Sequence, residues 1–196
     1  MRTFYLIARY LVRAAMFFAH PIFKVQGREN IPEGPAVICC NHSNMSDPIW
    51  VIFGLWPDQM PACMAKKEVM EVPVLGRFLR FLGAIGVDRG AADLSAVKQS
   101  LKALRDGNNL LVFPEGTRVR PGKVVEAKTG AALLANRAEV PMLPVFLTRN
   151  KKFFCPLKMV IGKPFYVEKA GARITQQELQ DATDRLMGEI YAMEEA

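Results

Sequence analysis

The chain has two histidines, His20 and His42, and the second sits in a setting suited to proton transfer. It lies in the polar string Asn41-His42-Ser43-Asn44-Met45-Ser46-Asp47-Pro48. An imidazole, with an ordinary pKa near ~6.5, takes up a proton at physiological pH. A carboxylate on its other nitrogen fixes the tautomer and stabilises the imidazolium that forms. Asp47 is spaced to be that carboxylate. Its plainer role is to cap a helix begun by Pro48, with His42 an exposed loop residue. A carboxylate has two oxygens, so the roles are compatible.

A second set of residues suits an anion. In Phe113-Pro114-Glu115-Gly116-Thr117-Arg118, proline stops a strand and glycine lets backbone approach a ligand closely. Backbone N–H groups, the Thr117 hydroxyl and Arg118 can then surround a phosphate, whereas Glu115 would repel one. Arg89, at the end of the strand Gly83–Arg89, offers a planar fork of donors for the same purpose; a surface salt bridge with Asp88 is the ordinary alternative. Lys128, near a helix start, works against the helix dipole, which points either to a ligand or to solvent. Other chemistries are disfavoured. The cysteines (Cys39, Cys40, Cys63, Cys155) lack CxxC spacing and sit in apolar runs, as reduced core thiols of a cytosolic protein do. Cys40 reaches His42 poorly as a nucleophile, and two histidines argue against a His-based metal site.

The elements that must position these groups alternate between strand and helix. Residues 21–34 read as a short strand and a turn. The apolar run 35–40 is a buried strand entering the His42 loop, and 48–56 is the helix leaving it. A second core strand falls at 60–65. Residues 67–82 form a helix broken by Pro73 and Gly76, whose Val72, Leu75, Phe78, Leu79 and Leu82 recur at helical spacing as core or pocket lining. A strand at 83–89 follows, then a helix over 93–106 with the stripe Leu94, Val97, Leu101, Leu104, capped by Asp93 and ended by Gly107. Short strand–helix–strand links imply parallel, right-handed crossovers. Arg89 and the 113–118 turn are therefore expected at the same sheet edge as His42, where open α/β sheets bind ligands. A helix ending at Ala138, strand entry and pocket wall at 140–145, a late strand at 157–165, and a final helix opened by the capping box Thr175–Glu178 complete the chain.

Composition narrows the partners. Net charge is +7, and from Arg173 onward six acids face two bases, so the remainder carries +11. That field suits phosphorylated metabolites, acidic lipid surfaces or an acidic carrier protein. No nucleic-acid signature is present. In residues 1–18, Arg2, Arg9 and Arg13 fall on one side of a helical wheel, with Phe4, Ile7, Leu11, Ala14 and Phe18 opposite. This predicts an amphipathic helix lying in an anionic membrane interface, or else covering the sheet. It is too charged for a comfortable span, and a signal peptide is disfavoured.

These motifs carry a resemblance. His42-x4-Asp47 resembles the first motif of the glycerolipid acyltransferases, the 1-acylglycerol-3-phosphate acyltransferase family. Gly83–Arg89 is similar to the second, with Gly86 where the family usually has an aromatic residue. Phe113–Arg118 matches the third, with Val119 where serine is frequent, and Lys128-Thr129-Gly130 resembles the lysine–x–glycine after it. Val140-Pro-Met-Leu-Pro-Val145 is similar to the fourth. In family order, these cover about residues 34–164.

The resemblance implies an α/β domain, residues 21–196, with a mixed, mostly parallel sheet flanked by helices, behind an interface helix at 1–20. It implies acyl transfer from acyl-CoA or acyl carrier protein to the free sn-2 hydroxyl of a lysophospholipid, lysophosphatidate, giving phosphatidate. His42 would be general base, Asp47 its orienting partner, and Arg89, Gly116, Thr117, Arg118 and Lys128 the substrate holders. Glu115 would hydrogen-bond glycerol hydroxyls or fix Arg89 or Arg118. No metal or cofactor is implied. The enzyme would sit on the cytoplasmic face of the cell membrane, peripheral or monotopic. The alternatives are another acceptor, a His–Asp thioesterase or esterase, and a non-enzymatic lipid-binding module.

Overall fold

The computed structural model describes residues 14, 17–55, 61–73, 75–81, 83–88, 93–120, 122–123 and 125–194. Of the amphipathic helix expected over residues 1–18, residues 1–13, 15 and 16 lie outside them, as does Arg89.

In chain order the elements are β1 (Phe23–Gln26), β2 (Val37–Cys40), α1 (Asp47–Leu55), β3 (Ala62–Lys66), α2 (Lys67–Glu71), α3 (Leu75–Phe81), β4 (Ile85–Val87), α4 (Leu94–Arg105), β5 (Leu110–Val112), α5 (Gly130–Ala138), β6 (Met142–Leu147), β7 (Leu157–Ile161) and α6 (Gln176–Ala192). The seven strands form one sheet in the order β1-β7-β6-β2-β5-β3-β4. Strands β6, β2, β5, β3 and β4 run parallel, and β7 joins β6 antiparallel while β1 lies parallel to β7. The expected mixed, mostly parallel α/β sheet is the one observed.

The strand sequences explain the layering. Central strands buried on both faces read as continuous apolar runs, and β2, β5 and β6 are buried at every position. Successive side chains still point to opposite faces. Val37, Cys39 and Leu110 pack with Leu104 of α4, Leu134 of α5 and Leu186 of α6. Ile38, Cys40, Leu111 and Val145 pack against Trp50 and Val51 of α1. Each fully buried leucine or isoleucine contributes about 1.5–3 kcal/mol.

Local signals act where expected. Asp93 accepts the Ala96 N–H at 2.9 Å and caps α4. Thr175 and Glu178 form the reciprocal capping box of α6. The break between α2 and α3 brings Gly76 so close to the Met70 carbonyl that a Cβ would sit 1.9 Å from its oxygen, so only glycine fits. Two readings change. The 140–145 segment enters β6 and becomes buried core rather than pocket wall. Cys155 is exposed, unlike the other three cysteines.

Because β2, β5, β3 and β4 are parallel, their carboxyl ends share one rim. Order matters within it: β5 is the neighbour of β2, but β4 lies three positions away, or ~14 Å at ~4.8 Å per strand.

Candidate active site

Strand β2 ends at a device that turns its backbone outward. Buried Asn41 donates from Nδ2 to the Leu147 carbonyl at 2.9 Å and accepts the Leu147 N–H on Oδ1 at 2.8 Å. Its side chain continues the pairing with β6, so the main chain at His42 is free to leave the sheet.

The His42 backbone is then clamped by the turn after β5. Its N–H donates to Glu115 Oε2 at 2.6 Å, and its carbonyl accepts the Val119 N–H at 2.7 Å. The ring stacks on Phe113, with centroids 4.3 Å apart and planes at 28°. The side chain is 13% exposed, and Nδ1 faces Asp47 Oδ2 at 2.9 Å. With Nδ1–H donating to a carboxylate, the remaining nitrogen, Nε2, is the proton acceptor.

Asp47 is 1% exposed and does more than orient the imidazole. Oδ2 also accepts the Ser43 and Asn44 N–H groups at 2.6 and 2.7 Å, tying the loop into a tight turn. Oδ1 forms an ion pair with Lys151 Nζ at 2.6 Å. This corrects the capping role: Asp47 turns back onto the loop preceding α1. Burial alone would raise its pKa, but the His42 hydrogen bond and the Lys151 charge outweigh it and hold it below the ordinary carboxylate value.

Glu115 is the second buried carboxylate here. It is 4% exposed, and its oxygens take the His42 N–H and the Tyr191 hydroxyl of α6. It thereby braces the histidine loop against α6. Burial pushes its pKa up, offset only in part by the Tyr191 and His42 bonds. Its ionisation therefore works against folding as pH rises above 4.5 through the raised value. Glu115→Gln keeps an acceptor for His42 and a partner for Tyr191 without the charge; it is expected to melt no lower than wild type at pH 7. Glu115→Ala strands two donors at ~1–3 kcal/mol each and loosens the loop, lowering kcat by ~10²-fold. Thermal melts and initial rates on both variants check this.

The rest of the turn faces outward. Thr117 and Arg118 are exposed. Gly116 has φ 63°, and a Cβ there would lie 3.1 Å from Lys128 Cε, so its bareness admits the lysine stem. The Lys128 N–H donates to the Pro114 carbonyl at 2.9 Å. Beneath this rim lies an apolar cavity of about 240 Å³, lined among others by Met64, Val87, Val97, Phe113, Leu134 and Lys128. Phe113 thus separates the cavity from the imidazole. Gly86 faces away from it, toward Met70, whose Cγ would lie 3.3 Å from an added Cβ; the missing aromatic is thus a matter of packing on α2. Cys40 is fully buried, its thiol pKa raised by burial and by Asp47, and serves the core. Among the described residues, no group of three or more His, Cys, Asp or Glu side chains could hold a metal.

Two functional candidates escaped the sequence reading, Lys151 and Tyr191. The signal for Lys151 is a lysine just beyond the apolar strand β6, the parallel neighbour of β2. Tyr191 carries no local signal; it reaches Glu115 across 76 positions.

Comparison with known proteins gives a consistent result. Residues 22–148 match the family model described as Acyltransferase. The 1-acyl-sn-glycerol-3-phosphate acyltransferase of Bacillus subtilis is 31% identical over 177 residues, 87% of each chain. That of Pseudomonas aeruginosa is 32% identical over 163 residues, covering 77% of this chain and 62% of the relative. The crystal structure of the 1-acyl-sn-glycerophosphate (LPA) acyltransferase from Thermotoga maritima superposes with a TM-score of 0.69 at 25% identity, over 93% of this chain and 76% of that one.

Proposed function

Since the chain belongs to the acyltransferase family, as an O-acyltransferase of the 1-acyl-sn-glycerol-3-phosphate acyltransferase type, we propose that it moves a fatty acyl group from a thioester to the sn-2 hydroxyl of lysophosphatidate, giving phosphatidate. The observation that carries this reading is the His42–Asp47 pair at 2.9 Å, clamped by the same turn that presents Thr117 and Arg118 outward.

His42 Nε2 takes the proton of the acceptor hydroxyl as the oxygen attacks the thioester carbonyl. A C–O bond forms, the C–S bond breaks, and the imidazolium returns its proton to the departing thiolate. Asp47 stabilises the imidazolium meanwhile. The attacking oxygen belongs to the substrate, so no acyl-enzyme forms. Arg118 and Lys128 hold the phosphate with Gly116 and Thr117, and Arg89 joins them; holding the phosphate sets the hydroxyl beside the imidazole. The cavity beside Phe113 suits an acyl chain. Arg118→Ala and Lys128→Ala are each expected to raise KM for lysophosphatidate ~10-fold, with far less effect on kcat, as loss of one charge-assisted contact of ~1.5 kcal/mol does. Steady-state kinetics over a range of acceptor concentrations tests this.

Membrane engagement fits the same reading. No helix of the described residues is long and apolar enough to cross a membrane. Phe17, Phe18, Phe153 and Phe154 are 60–75% exposed and adjoin: the Phe154 N–H bonds the Ala19 carbonyl at 2.8 Å, and Phe153 stacks on His20. Such a patch on a basic protein suits an anionic cytoplasmic leaflet, with residues 1–20 as its interface helix and 21–196 as the catalytic domain. The deciding experiment assays purified protein with acyl-CoA and acyl carrier protein donors, each crossed with lysophosphatidate, glycerol-3-phosphate and lysophosphatidylcholine. Phosphatidate formation far above the other products is expected; turnover of lysophosphatidylcholine, whose phosphate is masked as a choline diester, at the same rate would refute the assigned cradle.

A further inference from the structure

Lys151 lies in the loop between β6 and β7, and its side chain is 3% exposed. A buried ammonium is costly unless paired and fully hydrogen-bonded. This one forms an ion pair with Asp47 Oδ1 at 2.6 Å and donates hydrogen bonds to the Thr148 carbonyl at 2.6 Å and Ser43 Oγ at 3.0 Å. Two of its partners belong to the histidine loop, and one carboxylate serves both the ammonium on Oδ1 and the imidazole on Oδ2.

We propose that Lys151 is a positioning residue for the dyad: its ammonium draws on the carboxylate that holds His42, and so keeps the imidazole neutral and ready to accept the hydroxyl proton. The proposal rests on His42 acting as general base. A buried carboxylate bonded to the imidazole alone would hold imidazolium strongly, leaving the base protonated before the substrate arrives. A second cation on the same carboxylate opposes that extra positive charge. The sharing also keeps Asp47 ionised despite burial, so its orienting bond persists. The other titratable or charged groups about the dyad are Glu115 at the His42 N–H, Tyr191 on Glu115, Arg149 over the Tyr191 ring and the buried Cys40 thiol. Among the described residues, Lys151 is the one lysine or arginine paired with the Asp47 carboxylate.

The test is the pH dependence of kcat/KM for acyl transfer by the full chain as wild type, K151M and K151R. It is paired with an NMR titration of the two histidines, assigned with H42A. In K151M the acidic limb, and the His42 titration with it, is expected to move upward by ~1 pH unit, while K151R retains the wild-type limb. A purely structural lysine would lower the melting temperature and scale the whole profile down without moving the limb; that result overturns the proposal. Should K151M fail to fold, K151Q removes the charge while keeping hydrogen-bonding groups, and the same limb is read. A wild-type profile with no acidic limb would overturn the general-base reading itself. An intact wild-type limb left in place by the neutral variants overturns this proposal alone.

Discussion

Replacing His42 by alanine is expected to cut acyl transfer at least ~10³-fold, within the range general-base groups supply, and to leave the fold in place. The stability half follows from where the loop is anchored. The two clamps on residue 42 are main-chain bonds, to Glu115 Oε2 and from the Val119 N–H, and alanine keeps both. Asp47 would lose one partner of several, retaining the Ser43 and Asn44 N–H groups and Lys151. The change removes a stacking contact on Phe113 and one hydrogen bond, a loss of about 1–2 kcal/mol. Initial rates and a thermal melt of the same preparation check the two halves together. Loss of activity together with loss of fold would mean that the imidazole is structural.

Asp47→Asn is the second large effect, and it differs in kind because both activity and stability fall. An asparagine oxygen can serve the imidazole only if its amide turns toward Lys151, an ammonium with no acceptor there. The reverse rotamer sets the amide against the Ser43 and Asn44 N–H groups. Either way a buried cation loses its counter-ion, at a cost of ~3–5 kcal/mol, and the imidazole loses its orientation, lowering kcat ~10³–10⁴-fold. The pH sign follows from the depressed pKa of Asp47. Its stabilising contribution is present above the ordinary carboxylate value of 3.8 and is lost as pH falls through the lower folded value. Wild type should therefore destabilise in acid more steeply than Asp47→Asn does, as measured by denaturant midpoints across pH.

Much of this was legible in the sequence for identifiable reasons. Buried parallel strands announce themselves as apolar runs, and β2, β5 and β6 did so. Caps at Asp93 and Thr175 are local signals. The His42–Asp47 pairing is local as well, two side chains held by one tight loop. What the sequence did not reveal depends on distance along the chain. Glu115 reads as a substrate contact beside Thr117 and Arg118, because nothing nearby shows that its oxygens reach His42 and Tyr191. Lys151 went unmarked, since burial of an ammonium is decided by the neighbour of β6, and sheet order is not written in β6 itself. The prediction of one shared rim held for the strands, yet the order placed β3 between β5 and β4. A polar residue's role was legible when its partner was within a turn, and hidden when its partner came from another strand.

The central claim is that the substrate hydroxyl, activated by His42, attacks the thioester directly. It is tested most directly by counting thiol released by purified wild-type protein against lipid product, with and without lysophosphatidate. The account predicts one thiol per phosphatidate, none above background when the acceptor is left out, and no acyl group on the protein by intact mass after rapid quenching. Steady thiol release without acceptor, or a stoichiometric acyl adduct on the chain, would contradict it.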